Sequence, residues 1–243
     1  MVEAYSSRRP LALGRTIKER EAGDDEFVEA SLRPDGGARA CCVLAHGAGA
    51  GMHHPFMAEM ARGLELREIA TLRYQFPYME RGTRRPDSPQ LAQATVRAAV
   101  AAAVGLLPKL PIVAGGKSFG GRMTSQAQAK APLQEVVGLV FLGFPLHPAG
   151  RPSQDRAEHL FDVQLPMLFL QGTRDTLGSV EQLEPLCEKL GKRATLRLFA
   201  DADHSFHVPA RTGQKDSQVL EDVLDALAAW LDDNVIDRRR KTT

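Results

Sequence analysis

The chain has 243 residues, of which 43% are hydrophobic and 25% charged, as is typical of a globular domain with a sizeable core. Its formal net charge of +1 gives no broad positive field, so nucleic acid is not expected as a partner. The first residues lack an apolar signal segment and no apolar run approaches the roughly 20 residues of a membrane span, which predicts a cytoplasmic protein with no membrane span.

Apolar runs alternate with segments of helical spacing along most of the chain. The predicted strands cover residues 40–46, 68–76, 111–116, 136–144, 166–172 and 194–200. Their nearly continuous apolar character is typical of parallel strands that are buried on both faces. The alternation therefore predicts an α/β fold with a doubly wound, mostly parallel sheet and helices on both faces. Residues 26–42 further suggest an antiparallel hairpin that turns at residues 34–37.

Several residues mark where the predicted helices begin and end. Ser88 is an N-cap before a proline at the first helical position. Ser179 and Gln182 have the spacing of a capping box, and Gly191 marks the end of that helix. The last helix lies within residues 217–235, where apolar residues recur on one face.

These elements predict one α/β domain over residues 31–235. We expect residues 1–30 to form an N-terminal extension with a possible first strand, and residues 236–243 to form a basic, frayed tail. Cys41, Cys42 and Cys187 lack metal-ligand spacing and are expected to be reduced thiols in the core. We expect no metal and no cofactor.

The stretch IVAGGKSFGGRM, residues 112–123, allows two interpretations. A phosphate-binding loop has the pattern G-x-x-x-x-G-K-[ST], but its first glycine would fall on Pro111. The pattern G-x-S-x-G instead marks a sharp strand-to-helix turn that exposes a nucleophilic serine, here Ser118. The motif alone leaves a chance match in a glycine-rich loop open, but the flanking strand and helix favour the nucleophile.

Two further residues complete a possible catalytic triad. A serine nucleophile needs a histidine base and a carboxylate that orients it, in the chain order Ser, Asp, His. Asp175 follows the strand at 166–172, and His204 follows the last strand. The rival residues in the same part of the chain are Asp201, Asp203 and His207.

An oxyanion hole would need two backbone N–H groups beside Ser118. One belongs to Phe119, the residue after the nucleophile, and the other to the glycine-rich loop that follows the strand at 40–46. Ala48 is the predicted second donor and Gly49 the alternative. A phosphate-binding glycine turn is the competing interpretation of this loop.

Residues near these positions are candidates for binding the substrate. Gly49 and His53 could contact it, as could His54, and Phe144, Pro145 and Leu146 either form an apolar wall or pack the loop. Arg81, Arg84 and Arg85 either attract an acidic substrate or belong to a solvated loop. Only about twenty residues separate the strands at 136–144 and 166–172, so we expect no large lid domain.

The chain resembles a known family at the motifs AHGAGAGMHHPFM, RYQFPYME, GGKSFGGRM, FLGFPLHP, LPMLFLQGTRD and DADHSF. They are similar to motifs of the dienelactone-hydrolase-like family of α/β-hydrolases, which includes the hydrolase-like domain of a subunit of the NSL histone acetyltransferase complex. The resemblance covers residues 33–235 and implies an α/β-hydrolase fold with nucleophile Ser118, acid Asp175 and base His204. A true dienelactone hydrolase has cysteine where this chain has Ser118.

Together these observations predict a serine hydrolase of carboxylesterase type. It would cleave small or short-chain acyl esters or thioesters, its small-molecule partners, through an acyl-enzyme intermediate. Two alternatives remain: a non-catalytic interaction domain that has kept the hydrolase fold, and an acyltransferase that uses the same triad. The sequence predicts neither the acyl group nor the oligomeric state.

Overall fold

The computed structural model describes residues 15–20, 27–32, 37–151 and 153–236. The described residues form eight strands in a single sheet. In chain order the strands are β1 (Arg15–Arg20), β2 (Phe27–Leu32), β3 (Ala40–Ala45), β4 (Ile69–Tyr74), β5 (Ile112–Lys117), β6 (Val136–Leu142), β7 (Met167–Gly172) and β8 (Ala194–Phe199).

The sheet has the strand order β1-β2-β4-β3-β5-β6-β7-β8. Strands β3 to β8 are parallel to one another, whereas β1 and β2 are antiparallel additions at one edge. Strands β3, β4 and β7 are buried along their whole length, which explains their continuous apolar sequences. All six parallel strands begin and end within two residues of their predicted bounds.

Helices cover both faces of the sheet, as the doubly wound fold requires. They are α1 (Pro55–Leu66), α2 (Pro77–Glu80), α3 (Pro89–Leu106), α4 (Phe119–Lys130), α5 (Val180–Leu190) and α6 (Asp216–Leu231), with a 3₁₀ helix at Asp155–Asp162. Helices α3, α4 and α5 bury their apolar residues in one core cluster, and α1 and α6 do so in a second cluster across the sheet. The predicted fold class is thus confirmed.

Two helix starts show how local signals compete with tertiary contacts. Helix α3 begins as predicted, because Ser88 Oγ accepts a hydrogen bond from Leu91 N. Helix α5 also begins after its predicted N-cap, but the Ser179 side chain makes no capping hydrogen bond. The side-chain oxygen of Gln182 lies 3.1 Å from His147 Nε2, so the predicted capping box is wrong.

The predicted hairpin between residues 26 and 42 is also wrong. Strand β2 pairs with β1 and β4, whereas β3 pairs with β4 and β5. Helix α1 carries the chain from β3 to the parallel neighbour β4, and β4 then takes the place beside β3 that a hairpin partner would have occupied. The prediction of a frayed tail concerns mainly residues 237–243, which lie outside the described residues.

The cysteines and helices of the described part carry no sign of cross-linking or of a membrane span. Cys41, Cys42 and Cys187 are buried free thiols, and burial raises the pKa of Cys41 and that of Cys187 to about 12. Among the described residues, no helix combines the length and the apolar character needed to cross a membrane.

Candidate active site

Three strand ends carry the predicted catalytic residues to the same edge of the sheet. Ser118 follows β5, Asp175 lies three residues after β7, and His204 lies in the loop after β8. His204 Nδ1 lies 2.6 Å from Asp175 Oδ2. Ser118 and His204 line the same cavity, although Ser118 Oγ makes no hydrogen bond with any described residue.

The backbone at Ser118 has the strained geometry of a nucleophile turn. Strand β5 runs through Lys117 and α4 begins at Phe119, so Ser118 alone makes the turn, with φ of 50° and ψ of −112°. A positive φ is unfavourable for a residue with a side chain and is found where surrounding structure enforces it. A Cβ at Gly116 would lie 2.1 Å from the carbonyl oxygen of Ala45. The tight turn leaves no loop that could wrap a phosphate, which excludes the phosphate-binding interpretation.

Asp175 is fixed by hydrogen bonds at both carboxylate oxygens. Leu177 N donates to Oδ1 at 2.8 Å, and Gln171 Nε2 donates to Oδ2 at 2.7 Å. Gln171 is itself buried, and its side-chain oxygen accepts from Phe144 N. Because Asp175 accepts from His204 Nδ1, the proton of the neutral imidazole lies on Nδ1 and Nε2 is left as a hydrogen-bond acceptor.

The rival acids and the rival base have other partners. Asp203 Oδ1 accepts from the backbone N–H groups of Ser205 and His207 and so closes a turn. Asp201 lies 3.6 Å from Arg211 in an exposed ion pair. His207 Nδ1 donates to Asp216 Oδ2 at 2.7 Å. The structure therefore pairs His204 with Asp175 rather than with either rival acid.

The loop after β3 borders Ser118 and holds the predicted second oxyanion donor. Ala48 lines the cavity, whereas Gly49 N already donates to the Tyr78 hydroxyl at 3.1 Å. Phe119 N is the first N–H of α4 and therefore has no acceptor within its own helix. These placements favour Ala48 over Gly49 as the partner of Phe119.

Buried His46 holds this loop in place, a role that was not predicted from the sequence. His46 Nδ1 donates to the Gly47 carbonyl at 2.8 Å, and Nε2 accepts from Phe76 N at 3.1 Å. Burial lowers the pKa of His46, which keeps the imidazole neutral and able to both donate and accept. The position of this histidine at the end of an apolar run could have indicated that it is buried.

The cavity has a volume of about 770 Å³ and is open to solvent. Its walls are largely apolar, which is typical of ligand pockets. The rings of Phe56 and Phe206 stack on one another with centroids 5.9 Å apart. The other apolar residues in the wall include Met57, Leu177 and Leu220, while the polar lining includes Glu59, Ser205 and Asp216.

The predicted apolar wall at residues 144–146 is wrong. Phe144 is 1% exposed and packs edge-on against Phe141, with ring centroids 4.9 Å apart, and Pro145 and Leu146 are buried as well. The chain turns at Gly143 directly beneath the site and then passes into the core. Leu177, whose carbonyl accepts from Leu146 N, lines the cavity instead.

The other predicted substrate contacts meet with mixed results. Gly49 and His53 are exposed and lie outside the cavity lining, whereas His54 lines it and caps α1 through Nδ1. Arg81 pairs with the Asp87 carboxylate at 2.5 Å. Arg84 and Arg85 are exposed and do not line the cavity, so the solvated-loop interpretation is the one that fits the structure.

Lys117 is the cavity residue that was hardest to select from the sequence. Its ammonium group donates to the backbone carbonyl of His204 and lies 5.6 Å from the centre of the Phe206 ring. Burial lowers the pKa of Lys117 to about 8, against the opposing charges of Asp175 and Asp203. A lysine between Gly116 and Ser118 suggests a surface charge, but here it lines the cavity floor.

The fold, the turn at Ser118 and the ordered strand ends define an α/β hydrolase. A family model described as an alpha/beta hydrolase domain matches residues 38–232, so the chain belongs to that family. The predicted resemblance is confirmed as membership of the alpha/beta hydrolase family, while the narrower dienelactone-hydrolase-like assignment and the link to the NSL complex stay predictions.

Solved structures show the same fold at low sequence identity. A serine hydrolase without a lid from Xanthomonas campestris is 21% identical, with a TM-score of 0.68 over 92% of this chain and 98% of that one. A dienelactone hydrolase from Anabaena variabilis is 19% identical, with a TM-score of 0.70 over 91% and 97%. A cold-adapted esterase from an Arctic intertidal metagenomic library is 17% identical, with a TM-score of 0.67 over 96% and 99%.

Proposed function

We propose that this hydrolase is a serine carboxylesterase that cleaves small or short-chain acyl esters or thioesters through an acyl-enzyme. The observation that carries the proposal is the 2.6 Å pair between His204 and buried Asp175, which borders the same cavity as Ser118. A serine hydroxyl becomes a useful nucleophile only when such an oriented base takes its proton.

The first half of the reaction would form the acyl-enzyme. Ser118 Oγ attacks the substrate carbonyl carbon while His204 Nε2 takes the hydroxyl proton. The Phe119 and Ala48 N–H groups donate to the oxygen that becomes negative. Asp175 stabilises the imidazolium through Nδ1. His204 then gives the proton to the leaving oxygen or sulfur, and the alcohol or thiol departs.

The second half would release the acid. Water attacks the ester at Ser118 as His204 removes one of its protons, the same two N–H groups hold the oxyanion, and the proton returns to Ser118 Oγ. Apo geometries of catalytic hydrogen bonds are often long and tighten when the substrate binds. The lack of a hydrogen bond between Ser118 Oγ and the described residues is therefore compatible with this sequence of steps.

The size and lining of the cavity suit a short acyl chain. The apolar wall beside Ser118 can cover a short hydrocarbon chain, and the segment between β6 and β7 contains a single 3₁₀ helix rather than a lid domain. We expect the rate with p-nitrophenyl esters to be highest for short chains. A maximum at long chains would contradict this choice of substrate class.

An active-site-directed fluorophosphonate tests the proposed function. The reagent should label the purified protein once, and peptide mapping should place the label on Ser118. Labelling should vanish in Ser118→Ala and persist in the matched control Ser205→Ala, since Ser205 lines the same cavity. No label on the folded wild-type protein would refute the enzyme and favour the interaction domain.

Acyl transfer to an acceptor other than water would use the same residues. Hydrolysis of an ester in the presence of a competing alcohol separates the two reactions. We predict mainly free acid, and a product dominated by the new ester would favour the acyltransferase.

A further inference from the structure

Arg122 lacks the hydrogen-bond acceptors that the half-buried Arg67 and Arg97 have among the described residues. Arg67 meets the carboxylates of Glu221 and Asp225 at 2.7 and 2.6 Å. Arg97 donates to the backbone carbonyls of Ala127 and Ala131. The Nε atom of Arg122 is buried without a hydrogen-bond partner, and the guanidinium carbon lies 5.7 Å from the centre of the Phe119 ring.

A second arginine lies on the element that packs against α4. The 3₁₀ helix Asp155–Asp162 packs against α4 and carries Arg156, which is half-buried. Burial, and after it the charge of Arg156, lowers the pKa of Arg122 to about 10. Within the described part of the chain, neither guanidinium forms an ion pair.

His159 lies in the same region and adds no positive charge to it. Its Nε2 lies 2.7 Å from Ser125 Oγ, and the Ser125 hydroxyl donates to the carbonyl of Arg122. Burial lowers the pKa of His159 to about 4, with the charge of Arg122 as the next cause and Asp162 opposing it. The imidazole is therefore neutral at ordinary pH and adds no third charge.

Two guanidiniums that are partly removed from water need a negative partner. Burial without one costs free energy because the lost hydration is not replaced. Each guanidinium offers a planar fork of N–H donors that matches the oxygens of a carboxylate or a phosphate. Buried polar atoms without partners are rare in native proteins, so the unpartnered Nε of Arg122 needs an explanation.

We propose that Arg122 and Arg156 form a binding site for a small oxyanion, a phosphate or a carboxylate, between α4 and the 3₁₀ helix Asp155–Asp162. Neither arginine lines the cavity of Ser118 and His204. The site is therefore separate from the proposed catalytic centre, although Arg122 lies one helical turn beyond Ser118. Its occupation does not depend on the esterase activity.

Isothermal titration of the full chain with inorganic phosphate tests this site. The titration is done in Ser118→Ala as well as in the wild type, at constant ionic strength set with chloride. Both proteins should show saturable heat, because Ser118 does not belong to the site. Phosphate should also raise the thermal midpoint by roughly 2–4 °C near saturation.

Three variants locate the binding. Arg122→Gln and Arg156→Gln should each weaken phosphate binding at least tenfold, whereas Arg84→Gln, which removes an exposed arginine, should leave it unchanged. If Arg122→Gln fails to fold, phosphate binding by Arg156→Gln tests the site alone, because Arg156 is half-exposed. Absence of saturable heat in the wild type, or equal binding in Arg156→Gln, would overturn the proposal.

The same variants distinguish a free anion from an anionic group of the substrate. With a p-nitrophenyl ester that carries a terminal carboxylate, Arg156→Gln raises KM only if that carboxylate reaches the site. An unchanged KM together with lost phosphate binding assigns the site to a free anion.

Discussion

His204 Nδ1 lies 2.6 Å from Asp175, and His207 Nδ1 lies 2.7 Å from Asp216, so two histidine–aspartate pairs of nearly equal length adjoin one cavity. They differ in burial. The Asp175 side chain is 0% exposed, while the side chains of His207 and Asp216 are 66% and 53% exposed. We call His204–Asp175 the inner pair and His207–Asp216 the outer pair. Water screens the charges of the outer pair, so its contribution to the stability of the fold is small.

The partners of the two carboxylates differ as well. Asp175 is held by a buried glutamine and by a loop N–H group, whereas Asp216 stands at the first position of α6 and accepts from Val208 N. We therefore propose that the inner pair acts in catalysis, whereas the outer pair connects the loop after β8 to the start of α6. Distance alone would not separate them.

The largest expected effect comes from breaking the inner pair. Asp175→Asn keeps the shape but offers an N–H where His204 needs an acceptor, which favours the wrong tautomer of the imidazole. We expect kcat for p-nitrophenyl acetate to fall by about 10³–10⁴. Asp216→Asn is the matched control and should change kcat less than about twofold. Equal losses of kcat in the two variants would contradict the different roles of the two pairs.

Removing the support of the inner pair should cost less. Gln171→Leu deletes the donor to Asp175 Oδ2 and leaves Phe144 N without its acceptor. We expect a stability loss of about 1–3 kcal/mol in urea unfolding and a fall in kcat of about 10–10².

Gln128→Leu is the matched control for that loss of stability. Gln128 is buried and accepts from Leu133 N at 2.8 Å, away from the cavity. It should lose similar stability and keep its kcat. A fall in kcat equal to that of Gln171→Leu would mean that destabilisation, not the position of Asp175, explains the effect.

Lys117 adds a pH dependence to the inner pair alone. Its ammonium holds the carbonyl of His204, and the charge is lost as pH rises through about 8. A charged donor makes a stronger hydrogen bond than a neutral one. We expect kcat to fall about three- to tenfold above pH 8, and Lys117→Met to have a lower rate with no such step. A wild-type profile that stays flat up to pH 10 would contradict this role.

The smallest effect is expected at the outer pair. Hydrogen bonds from Val208 N and His207 lower the pKa of Asp216. Its contribution to stability is therefore present at neutral pH and is lost as pH falls through the lowered pKa. Because the pair is exposed, Asp216→Asn should cost at most about 1 kcal/mol at pH 7. Thermal unfolding at pH 7 and pH 3 measures this, and a large loss at pH 7 would show that the pair is not peripheral.

Sequence periodicity and order predicted the parallel sheet and the positions of the three candidate catalytic residues. Strands buried on both faces have continuous apolar sequences, and the carboxyl ends of parallel strands meet at one edge. Ser118, Asp175 and His204 could be selected because each comes shortly after the end of a predicted strand.

The failed predictions depended on side-chain directions and long-range partners. An apolar run such as 144–146 can line a cavity or enter the core. Here the chain turns at Gly143, so that these residues enter the core. Lys117 lies in a strand that is otherwise buried, but the sequence around it does not indicate that its ammonium group donates to the distant carbonyl of His204. The position of β2 depends on β4, which lies some forty residues further along the chain.

Above all, we propose that Ser118 carries the acyl group during turnover. Rapid quenching of the reaction with p-nitrophenyl acetate, followed by peptide mass spectrometry, tests this directly. We predict one acetyl group on the peptide that contains Ser118, at an occupancy that rises in the first turnover and is absent in Ser118→Ala. Turnover without any acetylated peptide, or acetylation confined to another residue, would contradict the account.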